Sequence, residues 1–419
     1  MRQLTLKEYS TELCVPLSSD ECDALRRLNA QIEISPSIGS PGCYDLTPSS
    51  WIGAIELPTL AIQIRPKIQI SRVLFLLSYA MDPKHWQDTA FDLADADSLV
   101  EAVIPGFALH LKRALGPGIL QGYRLEEDAL ATVRGRIRFH DQIARRFGIL
   151  PPVEVRYDEF TEDIEENRLL KAALRALERI RIRSSEMWYQ LHHFQAALDR
   201  VSLVEYQSRN LPTINYTRLN HRYRPALELS KLILRSLSYD LEYGRAAGAA
   251  FLVDMNDVFE KFVWVALREA LGLSEWTFPI GGSNHPLFMD LAQKVSLKPD
   301  LSWWHDSKCM FVGDAKYKRI NVPGIKNPDL YQLLAYTIAA ELPSGLLIYA
   351  AGEGEPALHE VMNVGKKLEV ISVDLSGTPS EILDDISNIA HTINRSSEQL
   401  SPSFVTHHAQ TNANTWRQE

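Results

Sequence analysis

The sequence predicts a multidomain α+β protein: a small N-terminal β domain, a helical middle region and a C-terminal α/β domain. Three observations predict it. Residues 50–71 alternate apolar and polar at period two, as a strand with one wet face does. Residues 165–182 and 223–241 place apolar side chains at i, i+3 and i+4, as amphipathic helices do. From residue 251 the order becomes helix, two strand-like runs, helix, strand. The boundaries drawn from these changes are 1–85 for the β domain, 86–250 for the helical region and 251–385 for the α/β domain. Residues 386–419, rich in Ser, Thr, Asn, Gln and His, are expected to form a disordered tail.

In the first part Ile62, Ile64, Ile68 and Ile70 share one parity, with Gln63, Arg65, Lys67 and Gln69 between them. Pro66 marks an edge strand or a bulge. Trp51–Leu57 supplies the partner strand across Pro58-Thr59. Arg65 and Lys67 on the polar face either meet a partner or guard the edge against aggregation. A helix begins with Leu74 and Leu77 and stops at Asp82-Pro83. Leu169, Leu170, Ala173, Leu174, Leu177 and Ile180 form the apolar face of the next clear helix, and Leu227, Leu229, Leu232, Ile233 and Leu237 that of a later one. Gly244 to Ala250 reads as a hinge.

Composition narrows the function. The 419 residues carry 53 acidic and 44 basic side chains, a net charge of −9, so binding to a polyanion requires a local basic surface. The four cysteines are far apart in the chain, which argues against a zinc ribbon or a disulfide scaffold and fits a reducing compartment. No apolar run approaches the length of a membrane span, and the N-terminus lacks the apolar core of a signal peptide. A cytoplasmic protein that does not enter membranes is expected.

One constellation carries chemistry. Pro299-Asp300 is followed, after thirteen intervening residues, by Asp314-Ala315-Lys316. Asp314 and Lys316 lie two apart on an expected strand, so they leave the same face. Asp300 lies on the neighbouring strand. Two carboxylates suit Mg²⁺, which keeps several waters and can activate one of them against a phosphodiester. The lysine can orient that water or balance developing charge. Asp300, Asp314 and the Ala315 carbonyl are the candidate metal ligands. Glu260, on the preceding helix, and Gln332 with Tyr336, four apart on the following one, are further candidates for the site. Seven Lys/Arg against three Asp between Lys294 and Lys326 make this stretch locally basic, with Lys298, Lys318 and Arg319 as candidate DNA contacts. Read without that context, the same residues would make a plain β-hairpin with a surface salt bridge. Two other basic stretches, Arg134 to Arg146 and Arg218 to Arg224, suit either a polyanion or ordinary packing on their neighbouring aromatics.

Several motifs, in this order, resemble the McrC-type subunit of the McrBC modification-dependent restriction systems. They are Trp51-Ile-Gly-Ala-Ile55, Ile64-Arg-Pro-Lys-Ile68, Gly135-Arg-Ile137, Tyr157-Asp-Glu-Phe-Thr-Glu-Asp163, Asn167-Arg168, Tyr216, Asn220, Tyr223, Phe259-Glu-Lys-Phe262, Pro299-Asp300, Asp314-Ala-Lys-Tyr-Lys318 and Tyr331-Gln-Leu-Leu-Ala-Tyr336. The resemblance implies that the C-terminal domain is a restriction-endonuclease-like PD-(D/E)xK nuclease, with Asp300, Asp314 and Lys316 as its reacting set and Gln332 and Tyr336 in support. It implies a Mg²⁺-dependent DNA endonuclease that cuts methylated double-stranded DNA beside an AAA+ GTPase motor, whose GTP hydrolysis it stimulates. Pairing of two nuclease domains would serve double-strand cutting. No GxxxxGK[ST] loop occurs here, so GTP is expected on the partner. The competing readings are a nuclease-inactive adaptor that activates the motor, and a nuclease of the same fold that works without a partner.

Overall fold

The computed structural model describes residues 1–28, 30–81, 83, 99–180, 182, 184–207, 210–237, 239–243, 246–282, 285–317, 327–350 and 356–398. The chain is a mixed α+β protein with several sheets, gathered into two compact units. One comprises residues 1–3, 53–61 and 96–252. The other comprises, among the described residues, 4–52, 62–83 and 253–398.

The unit built around residues 96–252 is not purely helical. Its α-helices among the described residues are Leu99–Leu115, Phe139–Arg146, Glu165–Leu177, Ser185–Ala197 and Arg224–Ser236, and beside them lies a three-stranded antiparallel sheet. Val153–Thr161 is the central strand, between Gly122–Leu130 and the short Arg136–Ile137. The strand Gly122–Leu130 keeps nearly every side chain half or fully exposed, so its sequence lacks the apolar alternation that marks a half-buried strand. The helix Glu165–Leu177 buries Leu169, Leu170, Ala173, Leu174 and Leu177 of the expected face, but it ends at Leu177, so Ile180 lies beyond it. In the expected hinge, Ala246 to Ala250 open the strand Ala246–Asp254, while Gly244 lies outside the described residues.

The motifs of this unit form a polar hub. Asp163 accepts hydrogen bonds from the Arg168 guanidinium at 2.8 and 2.9 Å and from the Ser202 N–H and hydroxyl at 2.8 and 2.7 Å, and it also pairs with Arg124. The buried Asn167 donates to the carbonyls of Leu120 and Glu162. Asn220 donates to Glu166, and the Tyr223 hydroxyl accepts the Leu120 N–H. Arg222 donates to the carbonyls of Ala114 and Gly118, satisfying backbone groups at the end of the helix Leu99–Leu115. Most of the two basic stretches is likewise engaged within the fold. Arg138 pairs with Glu127 and Asp141, Arg146 pairs with Glu154, and Arg134 and Arg224 lie over the rings of Tyr157 and Tyr216.

In the other unit, the N-terminal residues form a three-stranded sheet with Cys43–Pro48 between Glu12–Pro16 and Ile32–Pro36, plus the helix Ser19–Arg26. Ser18 and Glu21 close a reciprocal capping box on that helix. The alternating run stops earlier than its pattern suggests. The strand Leu60–Arg65 ends at Pro66, and Ile70 begins the helix Ile70–Met81.

The C-terminal residues build a five-stranded mixed sheet in the order Leu301–His305, Lys308–Lys316, Ser344–Ala350, Lys367–Val373, Ala357–Glu360. The first and last pairings are antiparallel and the two between are parallel. The parallel strands read as continuous apolar runs, Ser344–Ala350 burying six residues in succession. The helix Asn327–Ala339 crosses between two of these strands and packs Leu333 against Leu347 and Tyr349. Gly313 lets Lys308–Lys316 approach its parallel neighbour, because a Cβ there would stand 2.8 Å from the Leu346 oxygen. Residues 386–398, assigned by composition to the tail, are instead the second half of the helix Pro379–Glu398. Ile382, Ile386, Ile389 and Ile393 give it a buried stripe that the surrounding polar residues disguise. Residues 399–419 lie outside the described residues.

Candidate active site

The hairpin ladder ends at Leu301 opposite Gly313, so Asp300 stands at the mouth of the ladder beside Asp314 and Ala315. Asp300 gives its N–H to Asp314 Oδ1 at 3.3 Å and takes the Ala315 N–H on Oδ2 at 3.1 Å. The Lys316 ammonium bridges the two acids, 3.1 Å from Asp300 Oδ2 and 2.6 Å from Asp314 Oδ2. The N–H and C=O of one extended residue point to the same side. The Ala315 carbonyl therefore faces the Asp300 side, where a shared ligand would sit.

Burial decides the electrostatics. Asp314 is wholly buried, carried on a strand that Met310, Phe311 and Val312 hold in the core. Burial first, and the Asp300 charge second, push its carboxyl up to about 8. Lys316 loses some basicity to burial, but the two carboxylates more than offset this and its ammonium is held above its ordinary value. Glu260, half-buried on the helix Met255–Ala270, is pushed up to about 7 by burial and then by Asp300. Tyr336 is pushed up to about 12 by burial and then by Asp314. Its hydroxyl accepts from the Gln332 amide at 2.6 Å and donates to the Lys298 carbonyl at 3.0 Å.

The structure thus brings Asp300, Asp314 and Lys316 into direct contact and sets Glu260 and Tyr336 within their field. Gln332 acts on the Tyr336 hydroxyl. Lys298 is exposed, two residues before Asp300, while Lys318 and Arg319 lie outside the described residues. Asp314 Oδ2 is buried and accepts no aligned hydrogen bond, its neighbour being the Lys316 ammonium. Among the described residues no group of three His, Cys, Asp or Glu side chains is spaced to hold a metal. Two carboxylates and a carbonyl nevertheless fit Mg²⁺, which fills its remaining positions with water and phosphate oxygens.

One support escaped the sequence reading. Tyr317, next after Lys316, donates its hydroxyl to the buried Glu8 at 2.8 Å, and the Lys67 ammonium lies 4.0 Å over its ring. Lys67 therefore braces the acidic-lysine strand from behind, beyond the end of the strand on whose wet face its parity had placed it. The signal was the joint occurrence of Ile64-Arg-Pro-Lys-Ile68 and Asp314-Ala-Lys-Tyr-Lys318, far apart in sequence.

Fold and cluster together define a mixed α+β protein with an aspartate pair closed on a lysine at the open end of the first hairpin of its five-stranded mixed sheet. The family model for the McrBC 5-methylcytosine restriction system component matches residues 46–350, and the chain belongs to that family. No curated protein matches it. Among solved structures it is similar to a chain of the refined half-complex from a tetradecameric assembly of Thermococcus gammatolerans McrB AAA+ hexamers with bound McrC. The TM-score is 0.53 at 19% identity, over 93% of this chain and 100% of that one. A chain of the T. gammatolerans McrBC complex seen by cryo-electron microscopy gives a TM-score of 0.43 at 22% identity, over 64% of this chain and 88% of that one. Among the described residues no helix is long and apolar enough to cross a membrane.

Proposed function

We propose that the chain is the McrC-type DNA endonuclease subunit of a GTP-dependent, methylation-dependent restriction complex, with a C-terminal PD-(D/E)xK domain. The observation that carries this reading is the contact of Asp300 and Asp314 with one lysine, Asp300 just before the strand Leu301–His305 and Asp314 and Lys316 on the strand Lys308–Lys316. Asp300, Asp314 and the Ala315 carbonyl would hold Mg²⁺. The ion would supply an activated water and neutralise charge at the scissile phosphate. Lys316, in contact with both acids, would meet the phosphate or orient the water. Tyr336, tied to the Lys298 carbonyl, holds the segment that carries Asp300.

The partner in this reading is an AAA+ GTPase motor, as in the McrB–McrC assembly to whose chain this one is similar. The helix Phe139–Arg146 supports docking to another protein. Phe139, Ile143 and Phe147 follow one another at helical spacing and are all exposed, with Ile149 and Leu150 exposed alongside and Arg145 at their edge. The test combines the chain, a motor partner, GTP, Mg²⁺ and methylated plasmid. Asp314→Ala should abolish cutting and keep the stimulation of GTP hydrolysis. Unchanged cutting would reject the nuclease assignment, and cutting by the wild type without nucleotide would favour a partner-independent enzyme.

A further inference from the structure

The hairpin that leads into Asp300 has an unusual division of labour between its base and its tip. Leu287 pairs with Leu297 and Phe288 with Ser296. Leu287 lies in the same buried cluster as Trp304, Val312 and Tyr336, and Leu297 packs against it, so the base is fixed to the core behind the acidic pair. The tip is fixed as well. The Met289 N–H donates to the Val295 carbonyl at 2.9 Å, and Asp290 Oδ1 accepts the N–H groups of Lys294 and Val295 at 2.9 and 2.8 Å. Yet this ordered tip presents Leu291 fully exposed and Met289 63% exposed. Single exposed apolar residues are commonplace, but two on one braced tip leave apolar surface in water with no packing in return.

The returning arm supplies the second observation. Lys294, Ser296 and Lys298 are exposed and share one parity, ending at Asp300, while Leu297 and Pro299 between them turn toward the core. A basic and hydroxylic edge therefore runs from the tip to the candidate metal ligands. At about 3.3 Å per residue, the five steps from Val295 to Asp300 reach at most about 16 Å, and Met289, hydrogen-bonded to Val295, stands at that end of the arm. A minor groove is only about 6 Å wide, so a tip at that distance from the cut phosphate can enter the adjoining groove.

Resting on the nuclease reading above, we propose that hairpin 287–297 is a DNA wedge. Lys294, Ser296 and Lys298 follow the phosphates from the scissile bond, and Met289 and Leu291 enter the groove and pry a base step apart. Duplex DNA is the occupant because the tip is continuous with the cluster that would cut it, and because the exposed charges along the arm are basic. Apolar wedges of this kind repay their unstacking cost by fixing the duplex against the protein.

The experiment uses the full chain and a duplex bearing 2-aminopurine near the cutting position, with Ca²⁺ replacing Mg²⁺ so that bound DNA stays intact. Wild type should raise the fluorescence several-fold on binding. Met289→Ala with Leu291→Ala should lose that rise while still binding the duplex, and both exposed changes should leave the thermal midpoint unmoved. Lys294→Ala should weaken binding alike on all sequences and lower the salt slope by about 1. An unchanged fluorescence rise in the double variant overturns the wedge, as does failure of the wild type to raise it. So does a defect of the double variant confined to motor stimulation or to self-association, which would make the tip a protein contact. Cutting by Asp314→Ala in parallel separates the two readings. If that variant is inactive and the double variant unstacks DNA normally, the nuclease stands and the wedge falls. If Asp314→Ala cuts like wild type, the nuclease reading falls while the fluorescence still decides the tip.

Discussion

Asp163 and Asp314 are both withdrawn from water and both touch cations, yet their surroundings drive them in opposite directions. Asp163 is 7% exposed. The Arg168 guanidinium first, then the hydroxyl and N–H of Ser202 and the guanidinium of Arg124, outweigh the cost of burial and hold its carboxyl well below the usual range. Asp314 has one ammonium, shared with a second acid, and an oxygen with no aligned donor. Burial wins there and its carboxyl rises to about 8. A carboxylate satisfied on all sides does structural work. One that is buried, crowded by a like charge and short of donors is kept that way at a cost in stability, and active sites are where such costs are found.

The largest expected effect is the loss of cutting in Asp314→Asn, by at least about a hundredfold, the order associated with removing one charge-stabilising group. The same change removes a buried like-charge conflict, so the thermal midpoint should stay level or rise. A fall of several degrees would mean that Asp314 is a structural acid like Asp163, and the contrast would collapse. Asp163→Asn should do the reverse. It leaves the half-buried Arg168 guanidinium short of its counter-ion and Arg124 with Glu126 as its remaining one, at a cost of about 3 kcal/mol in denaturant unfolding, and any loss of cutting should follow from unfolding alone.

A pH series sharpens the comparison in protein stripped of divalent ions. Asp314 takes up its proton on folding at any pH between the ordinary carboxylate range near about 4 and its raised value of about 8. The folded state then binds more protons than the unfolded one, so stability falls as pH rises through that window. Glu260, raised to about 7, works in the same direction. Asp163 has the opposite sign. Its contribution is full above about 4 and is lost only on further acidification. Unfolding midpoints of wild type and Asp314→Asn should therefore diverge from pH 5 toward pH 8. Mg²⁺, which binds the ionised acids, should stabilise the wild type more at pH 8 than at pH 6. Parallel curves would show that Asp314 is ionised throughout.

The same contrast explains what the sequence disclosed. Asp300, Asp314 and Lys316 were legible because the strand period and a single hairpin bring them together, both local rules. The helices Glu165–Leu177 and Arg224–Ser236 were legible for the same reason. The sheet around Val153–Thr161 was not, because its strand Gly122–Leu130 is largely exposed and offers no apolar alternation. The helix beyond residue 386 was missed because its apolar stripe of isoleucines is diluted by Ser, Asn and Thr. The motifs Asp163, Asn167, Asn220 and Tyr223 gave no chemical reason for their presence in sequence. Their long-range bonds span 39 to 103 residues, so only the folded chain reveals the hub they make.

The smallest effect tests whether the brace behind the site matters to its chemistry. Tyr317→Phe removes the hydroxyl that Glu8 accepts and leaves the ring beneath Lys67. A lost hydrogen bond to a buried carboxylate costs about 1.5–3 kcal/mol, but here the Lys67 N–H still donates to Glu8, which puts the expected loss at the low end. Tyr317 directly follows Lys316, the last residue of its strand, so a slackened brace should also lower cutting a few-fold while motor stimulation is unchanged. Lys67→Met, which keeps the bulk over the ring but removes its charge, should give a smaller fall of the same kind. Loss of motor stimulation in Lys67→Met with cutting intact would instead return Lys67 to the surface role that its place after the alternating strand suggests.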